Sequence, residues 1–253
     1  MKKLMFAAAA IAAGVAMADV TSANVVGYAQ NNLRAGAIGL GAQFVSVAGD
    51  KMDLCDIIPT GYDEETYKGG SITIQLLDYQ GYQVPGSMFY WYDDEDGTAW
   101  FDKNDDEVVR GRVSYDPGEA LWVRGNAETE ALRSSGEVAN GTIDVYLRAG
   151  AKLVNNPTPV AIPFNDDNND GKFIAPMGYD KETYKGGSIT VQKLDYQGYQ
   201  VPGSMFYWYD DEDGTAWFDK NDDVVSGKVL DPGEAVWARG NSTTEKLNFP
   251  SAL

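Results

Sequence analysis

The stretch Leu77–Asp106, LDYQGYQVPGSMFYWYDDEDGTAWFDKNDD, occurs twice in this chain of 253 residues, because Leu194–Asp223 repeats it without a change. The match extends upstream without a gap, so that Gly61–Asn104 and Gly178–Asn221 differ at three of 44 positions. The differences are Glu64/Lys181, Ile74/Val191 and Leu76/Lys193. The chain therefore contains an internal duplication.

Two shorter elements show how long each copy is. Asp116–Asn126 returns as Asp231–Asn241, about 115 residues later, which is an ordinary length for one domain. Solenoid repeats are much shorter, at about 20–50 residues, so two domains are expected, with their junction near Ser134-Ser135-Gly136. The predicted divisions are a signal peptide at 1–18, a first β domain at 19–136 and a second at 137–253.

Both copies have the sequence pattern of β-structure. Apolar and polar residues alternate in Ile72–Gln75, and turn signals such as Val84-Pro85-Gly86 and Asp116-Pro117-Gly118 separate short segments. No helical pattern of useful length occurs. The sequence predicts an all-β protein of two tandem, duplicated β-sandwich or small-barrel domains after a cleaved signal peptide.

Composition excludes several classes of function. With 20 Lys and Arg against 38 Asp and Glu, the formal charge is −18, and the chain has no His and one Cys. Without His there is no Ser-His-Asp or Cys-His catalytic arrangement, and Cys55 alone cannot form a CxxC site or an intramolecular disulfide. The acidic balance argues against nucleic acid as a partner, because binding it requires clustered cations.

The first residues resemble a secretory signal. Lys2 and Lys3 precede an apolar stretch at Leu4–Val15, and Ala16-Met17-Ala18 forms a small-residue cleavage site before Asp19. The apolar stretch is too short to be a transmembrane span, and no later segment approaches about 18 apolar residues. We expect an exported protein (periplasmic, cell-surface or secreted) with no transmembrane span.

An aromatic hairpin lies in the centre of each copy. A five-residue loop, Asp93–Gly97, would pair Tyr92 with Thr98 and place Phe89, Trp91, Ala99 and Phe101 on a core face. The opposite, amphipathic face would hold the predicted ligand-binding residues. These are Tyr90, Tyr92 and Trp100 in the first copy, and Tyr207, Tyr209 and Trp217 in the second.

Tyr and Trp rings with carboxylates nearby are the groups that bind sugars, because flat rings stack on the C–H side of a sugar and acceptors bind its hydroxyls. Aromatic residues on strands also serve as a second core layer or as a contact between domains. The sequence leaves both interpretations open, and they differ in whether the Tyr and Trp face is exposed.

A second candidate site is Asp166-Asp167-Asn168-Asn169-Asp170-Gly171, which fits D-x-[DN]-x-[DN]-G. This pattern predicts calcium as a cofactor, bound by Asp166, Asn168 and Asp170. The twelfth position is Met177 and not Glu, so a loose extracellular calcium loop is expected and not an EF-hand. The alternative is a surface turn rich in Asp and Asn.

Carboxylates alone can hydrolyse glycosidic bonds, since retaining glycosidases need two acids roughly 5 Å apart. A general acid, however, requires an apolar pocket that raises its pKa, whereas the acids of this chain occur in hydrophilic turns. We therefore expect no catalytic residues and no enzymatic activity.

Three motifs resemble a group of exported bacterial β-domain proteins with no assigned activity. They are Thr21–Tyr28 after the signal, Leu-x-Ala-Gly at 33–36 and 147–150, and Pro-Gly-Glu-Ala-x-Trp at 117–122 and 232–237. The resemblance implies export and all-β architecture, and it supplies no site residues.

Together these features predict an exported, non-enzymatic structural or adhesive protein of the cell surface or its surroundings. Its partner would be a cell-surface or extracellular polymer. The alternative is a tandem carbohydrate-binding module that recognises a polysaccharide, and a second alternative is a carboxylate-based glycoside hydrolase.

Overall fold

A computed structural model describes residues 25–33, 36–45, 51–62, 72–78, 82–94, 97–180, 189–195, 199–211 and 214–252, and the account below concerns these residues. The predicted signal peptide at 1–18 and its cleavage site lie outside them. Within the described part of the chain, no helix is long and apolar enough to cross a membrane.

The described residues of each copy include ten strands. Those of the first copy are β1 (Val26–Asn32), β2 (Gly36–Gly41), β3 (Met52–Asp53), β4 (Ile57–Thr60), β5 (Thr73–Leu76), β6 (Phe89–Asp94), β7 (Gly97–Asp102), β8 (Ser114–Tyr115), β9 (Ala120–Gly125) and β10 (Ala131–Glu137). Those of the second are β11 (Ile143–Tyr146), β12 (Gly150–Asn155), β13 (Ile162–Pro163), β14 (Ala175–Met177), β15 (Thr190–Leu194), β16 (Gln200–Asp211), β17 (Gly214–Phe218), β18 (Val229–Leu230), β19 (Ala235–Gly240) and β20 (Lys246–Phe249).

The strands of each copy form three antiparallel sheets with the same topology. The first copy has a five-stranded sheet in the order β2-β9-β5-β6-β7, a three-stranded sheet β1-β10-β4 and a pair β3-β8. The second copy repeats these as β12-β19-β15-β16-β17, β11-β20-β14 and β13-β18. One turn of 3-10 helix, Leu54–Asp56, is the only helical element in the described ranges, which confirms the all-β prediction.

Each copy has its own hydrophobic core on one face of its five-stranded sheet. Ile74, Phe89 and Val123 contribute to this inner face in the first copy, and Val191, Phe206 and Ala238 in the second. The opposite face of the same sheet is called the outer face below.

The residues of the predicted junction, Ser134-Ser135-Gly136, lie in a strand and not in a linker. These residues lie within β10, where Ser134 pairs with Ala29 on one side and with Ile57 on the other. Ser134 is buried and its hydroxyl donates to Gln43, while a side chain on Gly136 would collide with the Val45 carbonyl. Here Ser and Gly allow close packing and do not form a flexible linker. The predicted domain division between residues 136 and 137 falls inside β10.

The two copies also pack against each other around an approximate twofold relation. Glu119 forms a bridge to Val154, and the equivalent Glu234 forms a bridge to Leu40, which is the counterpart of Val154. A small cluster of buried Ala120, Leu153 and Ala235 fills the space between the copies, and both Trp122 and Trp237 pack onto it. Duplicated surfaces therefore meet in the self-complementary manner of a symmetric dimer.

Gly41 lies at the contact between the copies, where a side chain would not fit. A Cβ atom at Gly41 would lie 2.0 Å from Cγ of Asn155, whose amide donates to the Ala42 carbonyl across the contact at 3.2 Å. The absent side chain of Gly41 thus makes room for a hydrogen bond between the copies.

We predict that Gly41→Ala lowers the free energy of unfolding by about 1–3 kcal/mol, because the added methyl overpacks the contact between the copies. Urea denaturation followed by fluorescence measures the change. In an Asn155→Gly background, Gly41→Ala should lower the free energy of unfolding by less, since the clashing side chain is gone. An equal decrease in both backgrounds would contradict this account.

Candidate functional site

The aromatic hairpin has a register that differs by one residue from the predicted one. Trp91 pairs with Trp100, Tyr90 with Phe101, and the ladder continues to Asp94 and Gly97. Only residues 95 and 96, which lie outside the described ranges, are left to connect the strands. The predicted five-residue loop is therefore wrong, and every side chain of β7 lies on the opposite face from the one expected.

Trp100 and Trp217 are consequently core residues, and their prediction as ligand-binding residues is wrong. Their exposed fractions are 1% and 0%, and their indole N–H groups donate to the carbonyls of Ile57 and Ile174 at 2.7 and 2.8 Å. Burying one further indole in each core with its N–H group satisfied is favourable, because an indole removes a large apolar area from water.

Phe101 and Phe218 take the places on the outer face that the predicted register gave to the two tryptophans. Trp91 and Trp208 are buried, as predicted. Tyr90, Tyr207 and Tyr209 are half-buried on the outer face, so their predicted location is confirmed. The side chain of Tyr92 lies outside the described part of the chain.

These rings form an aromatic patch in each copy, consisting of Tyr90 and Phe101 in the first and of Tyr207, Tyr209 and Phe218 in the second. The rings of Tyr90 and Phe101 stack at 6.1 Å between centroids, and those of Tyr207 and Phe218 at 6.2 Å. Tyr209 meets Phe218 edge-on at 5.7 Å. The rings support one another and present a continuous, partly exposed surface.

An aspartate anchors the hydroxyl of the central tyrosine in both patches. Tyr90 donates to Asp105, and Tyr207 donates to Asp222. The hydrogen bond to Asp222 raises the pKa of Tyr207 to about 12, because ionised phenol could no longer donate to the carboxylate. The tyrosine hydroxyl is therefore fixed in direction and stays protonated at neutral pH.

The acidic turn after β7 holds this aspartate in place. Asp105 has a left-handed backbone with φ of 62°, and one carboxylate oxygen of Asp102 accepts from the N–H groups of Asn104 and Asp106. Together with Arg112, these donors lower the pKa of Asp102, with the N–H of Asn104 as the largest cause. Asp219 accepts from Asn221 and Asp223 in the same way in the second copy.

The predicted calcium loop is closed by similar hydrogen bonds. One oxygen of Asp166 accepts from the N–H of Asp170 and the other from the N–H of Gly171, while Asp170 accepts from the N–H of Lys172. Among the described residues, no three carboxylate or thiol groups are close enough to form a metal site. Calcium binding by Asp166, Asn168 and Asp170 stays a prediction, and it would have to compete with these backbone donors.

The outer face also includes residues that sequence reasoning missed. Thr73 pairs with both Tyr90 and Arg124, and Thr190 pairs with both Tyr207 and Arg239. The signal was present in the repeated Trp-x-Arg of both copies, since residues two apart on a strand share a face. The sequence alone does not show that β9 and β6 are both neighbours of β5, so it could not place this arginine beside the aromatic hairpin.

Comparisons of the chain with protein-family models, with curated proteins and with solved structures find no match.

We predict that Tyr207 ionises near pH 12, and that Asp222→Asn moves its pKa back towards the ordinary value of about 10. Because the folded-state pKa lies above the unfolded one, this tyrosine's contribution to stability is complete below about pH 10 and is lost as the pH rises towards 12. Spectrophotometric titration of tyrosinate in the wild type and the variant measures both values. Identical titration curves would show that Asp222 does not hold the hydroxyl.

For calcium, we predict a small stabilisation of the full chain in millimolar calcium, of about 0.4–1.4 kcal/mol if Kd is near 10⁻⁴–10⁻³ M. Thermal melting should shift upward by a few degrees in the wild type and in the control Glu128→Ala, and the shift should vanish in Asp170→Ala. An equal shift in Asp170→Ala would place the ion elsewhere, and no shift in the wild type would contradict the calcium site.

Proposed function

We propose that the protein is an exported, non-enzymatic adhesive protein of the cell surface or its surroundings, and that the aromatic patch of each copy binds carbohydrate. The observation that carries the proposal is the patch itself: stacked rings on an outer sheet face, partly exposed, with the central hydroxyl fixed by an aspartate. The predicted signal peptide and the resemblance to exported bacterial β-domain proteins support export.

The shape of the patch suits a polymer. It lies on one face of a sheet, whereas two clefts of about 540 and 410 Å³ lie where the copies meet and contain none of its residues. Rings on an open face stack on the apolar side of successive sugars, and Asp105 and Asp222 supply acceptors beside them. A small soluble substrate would instead call for an enclosed pocket.

The duplication favours adhesion. Two patches of the same chemistry lie in one chain, and the packed contact between the copies restricts their relative movement. A polymer that engages both patches gains avidity because the second binding event is intramolecular. Weak individual sites therefore suffice for firm attachment to a repetitive surface.

The carboxylates near the patch support a binding role over glycoside hydrolysis. Backbone donors and Arg112 lower the pKa of Asp102, which is the opposite of what a general acid requires. Asp105 and Asp222 are already engaged by tyrosine hydroxyls, so neither is placed to act as a nucleophile.

We predict that the mature protein is retained on insoluble polysaccharides or on cell envelopes. Tyr90→Ala combined with Tyr207→Ala should weaken retention by about tenfold. Each aromatic patch then loses a stacking contact, and the loss of avidity multiplies the effect. Pull-down with quantification of the unbound fraction measures the effect.

The matched control is Tyr28→Ala, which removes a tyrosine that is 62% exposed on β1, in a different sheet. It should bind as the wild type does. Absence of retention on every polymer tested, or equal retention of the double variant and the wild type, would refute the proposal.

A further inference from the structure

A row of four residues crosses the outer face of each five-stranded sheet. Arg124 on β9 pairs with Thr73, Thr73 with Tyr90, and Tyr90 with Phe101 on β7. Directly paired residues share a face, so all four side chains lie on the same side of the sheet. The second copy repeats the row without a change of residue type, as Arg239, Thr190, Tyr207 and Phe218.

The arginine of this row is open to solvent in both copies. Arg124 and Arg239 are exposed and have no ion pair or hydrogen bond from the side chain among the described residues. In a chain with 38 acidic residues, a guanidinium that stays unpaired in both copies is available for a ligand.

Two opposite charges lie on either side of the aromatic rings. Arg124 is on β9, whereas Asp105, which holds the Tyr90 hydroxyl, follows β7 on the other side of the aromatic rings. With strands about 4.8 Å apart, the row spans roughly 14 Å from the Cα atom of Arg124 to that of Phe101. An anionic group placed at the arginine is thus separated from the aspartate by the rings.

We propose that the ligand of the aromatic patch is a polyuronate, a polysaccharide whose sugars carry carboxylates. The carboxylate of one sugar pairs with Arg124 or Arg239, while a neighbouring ring of the polymer stacks on the tyrosine and phenylalanine. The planar guanidinium fork matches a carboxylate with two parallel hydrogen bonds, which it cannot make to a neutral hydroxyl. This inference rests on the proposed carbohydrate-binding function and specifies its ligand class.

The net charge of the protein sets the conditions for such binding. A chain of formal charge −18 repels a polyanion at long range, but at about 0.15 M ionic strength charges further apart than about 8 Å are largely screened. The ion pair between the guanidinium and a carboxylate is much shorter than this distance, so salt screens it only in part. Binding is therefore measured at physiological ionic strength.

The test compares polygalacturonate with its methyl ester, since esterification removes the charge and keeps the sugar rings. At about 0.15 M salt we expect the wild type to bind polygalacturonate about tenfold more tightly than the ester. Arg124→Gln combined with Arg239→Gln should lose this preference, while the Tyr90→Ala and Tyr207→Ala variant should weaken binding to both polymers.

Lys103→Gln combined with Lys220→Gln is the matched control, because it removes one exposed cation per copy and should keep the preference. Near-ultraviolet circular dichroism checks that the variants are folded. Equal affinity of the wild type for both polymers, an unchanged preference in the arginine variant, or equally tight arginine-dependent binding of dextran sulfate would each overturn the polyuronate assignment. Failure of both polymers and of every neutral polysaccharide would instead refute the carbohydrate-binding function itself.

Discussion

The pairing of Trp91 with Trp100, and of Trp208 with Trp217, is the interaction on which the rest of the structure depends. The indoles meet edge-on at 5.3 and 5.5 Å between centroids and fill the centre of each core. Because the indoles occupy one face of a hairpin, their immediate neighbours along each strand occupy the other face. The register that buries these indoles thereby places Tyr90, Phe101 and their counterparts on the outer face, so the core determines the composition of that face.

In the acidic turns, carboxylates accept hydrogen bonds from backbone N–H groups, and these bonds stabilise the turns beside the core. Asp102 and Asp219 each close the turn after a hairpin by accepting two N–H groups, and Asp166 does the same in the loop that was predicted to bind calcium. A carboxylate that accepts such bonds is stabilised in its charged form. Much of the negative charge near the hairpins therefore serves local structure, and the same turns position the aspartates that hold Tyr90 and Tyr207.

The duplication acts at two levels. Within each copy it repeats the hairpin, the turn and the arginine of the outer face, so the chain presents one surface twice. Between the copies it supplies matching surfaces that pack in a self-complementary manner, with Gly41 leaving room for the Asn155 amide. This contact covers the part of the outer face nearest to β2 and β12 and leaves the aromatic patches uncovered.

The sequence by itself determined the duplication, the all-β class, the burial of Trp91 and Trp208 and the outward position of Tyr90, Tyr207 and Tyr209. These features follow from the local alternation of apolar and polar residues and from a repeat that is evident in the sequence. Tertiary structure alone decided that Trp100 is buried, that Ser134–Gly136 is strand and that Arg124 belongs to the aromatic face. The hairpin register depends on how well two indoles fill a core. The order of strands in the sheet is set by contacts between residues distant in sequence, such as Thr73 and Arg124, and no local sequence pattern shows these contacts.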